Sequence, residues 1–129
     1  MKRLLMMSAI IESGAGLALL CCPSPVVALL LGSPLDTPAE IALGRLAGSA
    51  LLALGVACWL AKHDAQSCAA RGLIAAMTIY NFGAVVVLGA AGIRSQPVGL
   101  ALWPAVILHA AMTFWCAVGV LRTPAQTAK

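Results

Sequence analysis

Hydrophobic residues run along this chain in four long blocks that short polar segments separate. The clearest block extends from Gly72 to Ile93, contains no charged residue and no histidine, and lies between Arg71 and Arg94. At about 1.5 Å of rise per residue, a helix of this length measures roughly 33 Å, which matches the hydrocarbon core of a bilayer. The pattern therefore predicts a transmembrane helix over residues 72–93.

The other three blocks have similar lengths and predict spans over residues 4–22, 40–61 and 99–121. Pro23 and Pro25 interrupt the first of these helices. The apolar residues that follow, to position 31, are too few to cross a bilayer alone, so we expect a kinked turn or an interfacial segment there. The chain thus predicts an all-α bundle of four membrane-spanning helices.

Composition supports this class of protein. Of the 129 residues, 62% are hydrophobic and only 9% are charged, whereas a soluble domain carries about 25% charged residues. We therefore expect one integral membrane domain over residues 1–129, with the lipid bilayer as its principal partner. The net charge of +4 includes no basic run interleaved with aromatic residues, so nucleic-acid binding is not expected.

The basic residues predict the orientation of the spans. With four spans, both chain ends and the middle loop share one side, which carries Lys2, Arg3, Lys62, Arg71, Arg122 and Lys129. The other side carries Arg94 and, near it, Arg45. Because basic residues concentrate in cytoplasmic loops, we expect a protein of the cytoplasmic (inner) membrane with both termini in the cytoplasm.

Three polar residues lie near the centres of predicted spans: Glu12, Asn81 and His109. An ionised carboxylate at that depth costs about 2.5–3.5 kcal/mol, so Glu12 should face the interior, pair with a partner or be protonated. Asn81 and His109 are the partners that the sequence offers. One interpretation is a hydrogen bond that holds helices together, another is a proton-coupled or ligand-coupled role, and a third places Glu12 nearer the interface.

The second span carries further candidate interactions. Thr37 followed by Pro38 and Glu40 is typical of a helix start. Arg45, one turn inside this span, can bind a lipid headgroup or pair with Glu40. The glycines at positions 44, 48 and 55 lie on one face, which predicts close helix packing within the bundle, with dimerisation as the alternative.

Neither catalytic motifs nor the spacings of a zinc site occur in the sequence, so we expect no enzymatic activity and no cofactor. The five cysteines are odd in number, and most are expected to be small buried hydrophobic residues. Four of the five, all but Cys68, lie in or beside apolar runs.

Three resemblances add to this picture. Residues 12–17, 25–32, 44–48 and 102–105 with His109 resemble small, mostly uncharacterised bacterial four-span proteins of the DoxX-like group, which implies a four-helix bundle. Cys21-Cys22-Pro23 is similar to the first span of the mercuric-ion uptake proteins, which implies receipt of a soft metal. Ala9 to Glu12 resembles the first span of the small multidrug-resistance exporters, whose membrane glutamate exchanges protons for cationic drugs.

From the sequence we expect a non-enzymatic accessory or interaction subunit, alone, as a homo-oligomer or in a larger membrane complex. The alternatives are a small proton-coupled transporter that uses Glu12 with His109, and soft-metal uptake through Cys21 and Cys22.

Overall fold

The computed structural model describes residues 1–94 and 97–122, and this part of the chain is helical apart from short connections. The helices are α1 (Lys2–Cys21), α2 (Pro23–Leu31), α3 (Pro38–Ala61), α4 (Cys68–Arg94) and α5 (Leu102–Arg122), with a short 3-10 helix, Lys62–Asp64, after α3. Four of them, α1, α3, α4 and α5, are long and apolar enough to cross a membrane. The predicted all-α bundle of four spanning helices is confirmed, and the chain is a multi-pass membrane protein.

The proline break after the first span produces a separate short helix. Cys22, with φ −135° and ψ 62°, leaves the helical conformation, and Pro23 opens α2, where a missing N–H costs nothing. α2 ends at Gly32, whose φ of 81° is left-handed and favours glycine. The extension beyond the first span is therefore a nine-residue helix rather than a part of that span.

The start of α3 is a capping box, as the sequence predicts. The Glu40 N–H donates to Thr37 Oγ1 at 3.2 Å, and Glu40 Oε2 accepts from the Thr37 N–H at 2.9 Å. The Asp36 N–H donates to the same carboxylate oxygen at 3.0 Å. Side chains thus satisfy backbone donors that the first helical turn leaves unpaired.

Helices α1 and α3 approach so closely that their backbones touch. A Cβ placed on Gly16 would lie 2.6 Å from the Leu52 backbone nitrogen and 2.8 Å from the Gly48 oxygen, and one placed on Gly48 would lie 2.7 Å from the Leu20 nitrogen. A Cβ on Gly55 would meet Ser13 in the same way. The glycines therefore bring two helices of one bundle together, as small residues do in membrane proteins.

Helices α4 and α5 form the second closely packed pair, and one apolar cluster joins it to the first. The members of this cluster are Leu4, Leu5, Ala9, Cys58, Ala70, Ile74, Met77 and Cys116. They come from the start of α1, the end of α3, the start of α4 and the end of α5. These four helix ends therefore lie at the same end of the bundle, which gives an up-down-up-down order.

Backbone hydrogen bonds join the two pairs at the opposite end. The carbonyl groups of Leu30 and Leu29, in the last turn of α2, accept from the N–H groups of Gly99 and Ala101 at 3.1 and 2.9 Å. The segment before α5 thus satisfies carbonyls that the end of α2 would otherwise leave unpaired. α2 consequently joins the first helix pair to the second at this end of the bundle.

Large apolar side chains cover the outside of the bundle. Leu43, Ile79 and Phe114 are 65%, 74% and 73% exposed. In lipid such side chains need no protein cover, and the polar side chains of the spans can turn inward instead.

Candidate functional site

Glu12 lies at the middle of α1 on the buried face of that helix. Its exposed fraction is 2%, and Ser8, one turn earlier on the same face, is fully buried. Within the part of the chain that the structure describes, the Ser8 hydroxyl has no hydrogen-bond partner. The interior face of α1 therefore presents a carboxyl group and a free hydroxyl side by side.

Asn81 and His109 are joined directly by a hydrogen bond. Asn81 lies at the middle of α4, where it is 1% exposed, and its Oδ1 is 2.8 Å from Nδ1 of His109 on α5. The amide nitrogen of Asn81 donates to the Met77 carbonyl, also at 2.8 Å. This arrangement links the two helices of the second pair through a partly buried hydrogen bond near their middles.

Of the three polar residues that the sequence singles out, the structure thus bonds two to each other. Among the described residues, no hydrogen bond or ion pair joins the Glu12 carboxyl to Asn81 or His109. Glu12 is instead close enough to Cys58, Cys116 and Tyr80 to interact with them electrostatically. Glu12 therefore faces the interior of the bundle without a hydrogen bond to either of the partners that the sequence offers.

Tyr80, next to Asn81 on α4, contacts the ring of His109. Its ring meets the imidazole of His109 edge to face, with centroids 5.9 Å apart and an interplanar angle of 83°. Such an arrangement is favourable for two aromatic rings. Tyr80 also lies within electrostatic range of Glu12, so it belongs to the surroundings of both the α1 carboxyl group and the α5 imidazole.

Sequence reasoning missed Tyr80, Ser8 and the cysteines at positions 58 and 116 as neighbours of Glu12. A signal existed for Ser8, which precedes Glu12 by one helical turn. The other three residues come from different helices, and only the packing of the bundle brings them to α1. We define Ser8, Glu12, Tyr80, Asn81 and His109 as the mid-depth cluster.

Two threonines near the cluster are satisfied within their own helices. Thr78 donates to the Ile74 carbonyl at 2.9 Å, and Thr113 donates to the His109 carbonyl at 2.7 Å. These hydroxyl groups therefore need no acceptor among the polar side chains of the other helices.

The second candidate site, at the start of α3, is not an ion pair in the structure. The N–H groups of Asp36 and Thr37 donate to the Glu40 carboxylate, and no ion pair with Arg45 forms within the described chain. The Arg45 side chain is exposed on the outer surface of α3. Its role as a lipid-headgroup ligand stays a prediction.

The candidate metal ligands Cys21 and Cys22 are exposed at the junction of α1 and α2. Within the described residues, no group of three or more histidine, cysteine or acidic side chains is arranged to hold a metal ion. Soft-metal binding by this pair also stays a prediction.

Comparison with protein-family models, with curated proteins and with solved structures finds no match to this chain. The resemblances described above are neither supported nor contradicted, so the argument for function depends on the geometry of the mid-depth cluster.

Proposed function

We propose that this protein is a small proton-coupled transporter of the cytoplasmic membrane and that the Glu12 carboxyl group takes up and releases the coupled proton. The observation that carries this proposal is the burial of Glu12 at half depth while Asn81 and His109 are bonded to each other. A glutamate that only held helices together would need one of these partners. The structural interpretation of Glu12 therefore loses the bond on which it depends.

The cost of a buried charge also favours this proposal. A carboxylate at the centre of a membrane costs about 2.5–3.5 kcal/mol, and ionisable groups at this depth usually serve function. Neighbouring side chains can lower this cost with hydrogen bonds, yet the described residues form none to Glu12. A proton, or a cation that replaces it, removes the negative charge instead.

The surrounding residues suggest how such an exchange would proceed. A cation that binds the Glu12 carboxylate takes the place of one proton, so the charge at the site is conserved. The Ser8 hydroxyl, unpartnered and one turn away, offers an oxygen ligand to the same cation. The neutral imidazole of His109 on α5, whose ring Tyr80 contacts, can accept the displaced proton.

The proposed orientation places both termini in the cytoplasm. Lys2, Arg3, Lys62 and Arg71 belong to helix ends that the apolar cluster gathers at one end of the bundle. A concentration of basic residues at this end is typical of the cytoplasmic side. Lys62 adds an interfacial anchor, since its ammonium group lies 2.7 Å from the centroid of the Trp59 ring.

The test is proton movement in liposomes that contain purified protein and an internal pH-sensitive dye. We expect an imposed gradient of sodium, potassium, ammonium or ethidium to drive counter-movement of protons with at least one of these cations. Glu12→Gln should abolish this movement while its helical circular dichroism is retained. Glu40→Gln makes the same chemical change at the exposed cap of α3 and should leave proton movement intact.

Two results would refute the transporter proposal. One is a wild-type protein that moves no protons with any of the four cations. The other is a Glu12→Gln variant that moves them as fast as the wild type.

A second candidate function is an accessory or interaction subunit. It is favoured by α4, where a Cβ on Gly72, Gly83 or Gly89 would meet nothing within 4 Å. Small residues that face outward let another membrane helix approach closely. Co-purification of a stoichiometric partner from native membranes, together with wild-type-like behaviour of Glu12→Gln apart from a lower melting temperature, would favour this function over transport.

A further inference from the structure

We infer that Asn81 is a positioning residue that holds His109 in the tautomer protonated at Nδ1, which leaves Nε2 as the proton-accepting atom of the imidazole. The inference about the tautomer depends only on hydrogen-bond geometry. Its use in proton transfer rests on the proposed function.

The first step is the orientation of the Asn81 amide. A backbone carbonyl only accepts hydrogen bonds, so the atom of Asn81 that lies 2.8 Å from the Met77 oxygen must be the amide nitrogen. The opposite assignment would place two oxygens in contact without a proton between them. The Met77 carbonyl therefore directs Oδ1 of Asn81 towards His109.

The second step is the tautomer of His109. The amide oxygen of Asn81 is an acceptor only, and it lies 2.8 Å from Nδ1 of the imidazole. The hydrogen of this bond must therefore be on Nδ1. A neutral imidazole carries one N–H, so Nε2 keeps its lone pair.

The third step concerns protonation. A proton that reaches His109 must add at Nε2, because Nδ1 already carries a hydrogen. In the resulting imidazolium both nitrogens are donors, so the bond from Nδ1 to Asn81 persists. The ring can therefore gain and lose a proton while its position between α4 and α5 stays fixed.

The surroundings of the ring agree with this role. Thr113 donates to the backbone carbonyl of His109 and not to its ring, and Tyr80 contacts the ring edge to face. The titratable groups of this interior are Glu12 on α1, Cys58 on α3, Tyr80 on α4 and Cys116 on α5. Of these, Glu12 is the carboxyl group with which His109 would exchange a proton.

Nitrogen NMR of ¹⁵N-histidine-labelled protein in lipid nanodiscs tests the inference. The chain has two histidines, so His63→Gln leaves the His109 signals alone in the spectrum. For the neutral ring we expect a protonated resonance at Nδ1 and an unprotonated resonance at Nε2. The reverse pattern would overturn the inference, and this measurement needs no change within the cluster.

Variants of Asn81 separate positioning from simple packing. Asn81→Asp keeps an acceptor oxygen and should retain the Nδ1–H tautomer, whereas Asn81→Leu removes it and should lose the Nδ1–H signal in favour of Nε2–H. Thr78→Val, one turn away on α4, is the control and should leave the tautomer unchanged. An unchanged tautomer in Asn81→Leu would overturn the inference.

The liposome assay separates the failure of this inference from the failure of the proposed function. If the tautomer behaves as expected, Asn81→Leu should shift the pH profile of proton movement, and the control Thr78→Val should keep the wild-type profile. A correct tautomer in a protein that moves no protons would refute transport alone. The opposite tautomer in a protein that moves protons through Glu12 would refute the role of Asn81 alone.

Discussion

Replacing Gly16 by alanine should destabilise the protein because the added methyl group has no space. Its carbon would lie 2.6 Å from the Leu52 nitrogen, while ordinary van der Waals contact begins near 3.4 Å. The deficit of about 0.8 Å falls on backbone atoms of α3, which cannot move aside as a side chain can. The whole of α1 must therefore shift from α3.

The expected free-energy change is the sum of two opposing effects. Overpacking of a well-filled interface costs about 1–3 kcal/mol. Alanine in place of glycine inside a helix returns up to about 1 kcal/mol. We therefore expect Gly16→Ala to lower the free energy of unfolding by up to about 2 kcal/mol.

Gly14→Ala is a closely matched control. It makes the same change two residues away in the same helix, but a Cβ at Gly14 meets nothing within 4 Å. Only the helix-propensity effect then applies, so this variant should be stabilised by up to about 1 kcal/mol. Unfolding by titration with a denaturing detergent, followed by circular dichroism, measures both changes.

The reasoning would be refuted if the two alanine variants changed stability by equal amounts. Gly16→Ala combined with Gly48→Ala provides a second check. Both methyl groups open the same gap, so the loss in the double variant should be smaller than the sum of the two single losses.

Two further predictions concern the N-terminal cap of α3 and the orientation of the chain in the membrane. Thr37→Ala removes the acceptor of the Glu40 N–H and should lower the free energy of unfolding by about 0.5–2 kcal/mol in the same assay. Thr37→Ser keeps a hydroxyl acceptor and should lower it much less. Equal losses in the two variants would argue against the cap. In intact cells, a membrane-impermeant maleimide should label the exposed Cys22 and spare the exposed Cys68, which becomes reactive after the membrane is opened; labelling of Cys68 from outside would reverse the orientation.

The sequence predicts the spanning helices well because each apolar block is long, has few charged residues and is bounded by proline, by charge or by a polar turn. The start of α3 shows this most clearly, since Thr37, Pro38 and Glu40 act through local bonds that need no tertiary contact. The boundary at 72 was less accurate. α4 begins at Cys68, because the Ser67 hydroxyl accepts from the Ala70 N–H and starts the helix early.

The contacts inside the bundle could not be predicted from the sequence, because the spacing of residues along a helix does not say which buried faces of two helices meet. Glu12, Asn81 and His109 could be assigned to a common depth from their positions in the spans. The choice of bonds among them depends on the rotation and separation of the helices. The glycine contact fixes the separation of α1 and α3. The hydrogen bond between His109 and Asn81 links α4 to α5.

The hydrogen bonds of α2 restrict how the two helix pairs can move. The carbonyls of Leu29 and Leu30 join the pairs at one end of the bundle, and the apolar cluster joins them at the other end. Relative motion that preserves both attachments is a rotation of one pair against the other about the long direction of the bundle. Such a twist would alter the distance from Glu12 to Tyr80 without breaking either pair apart.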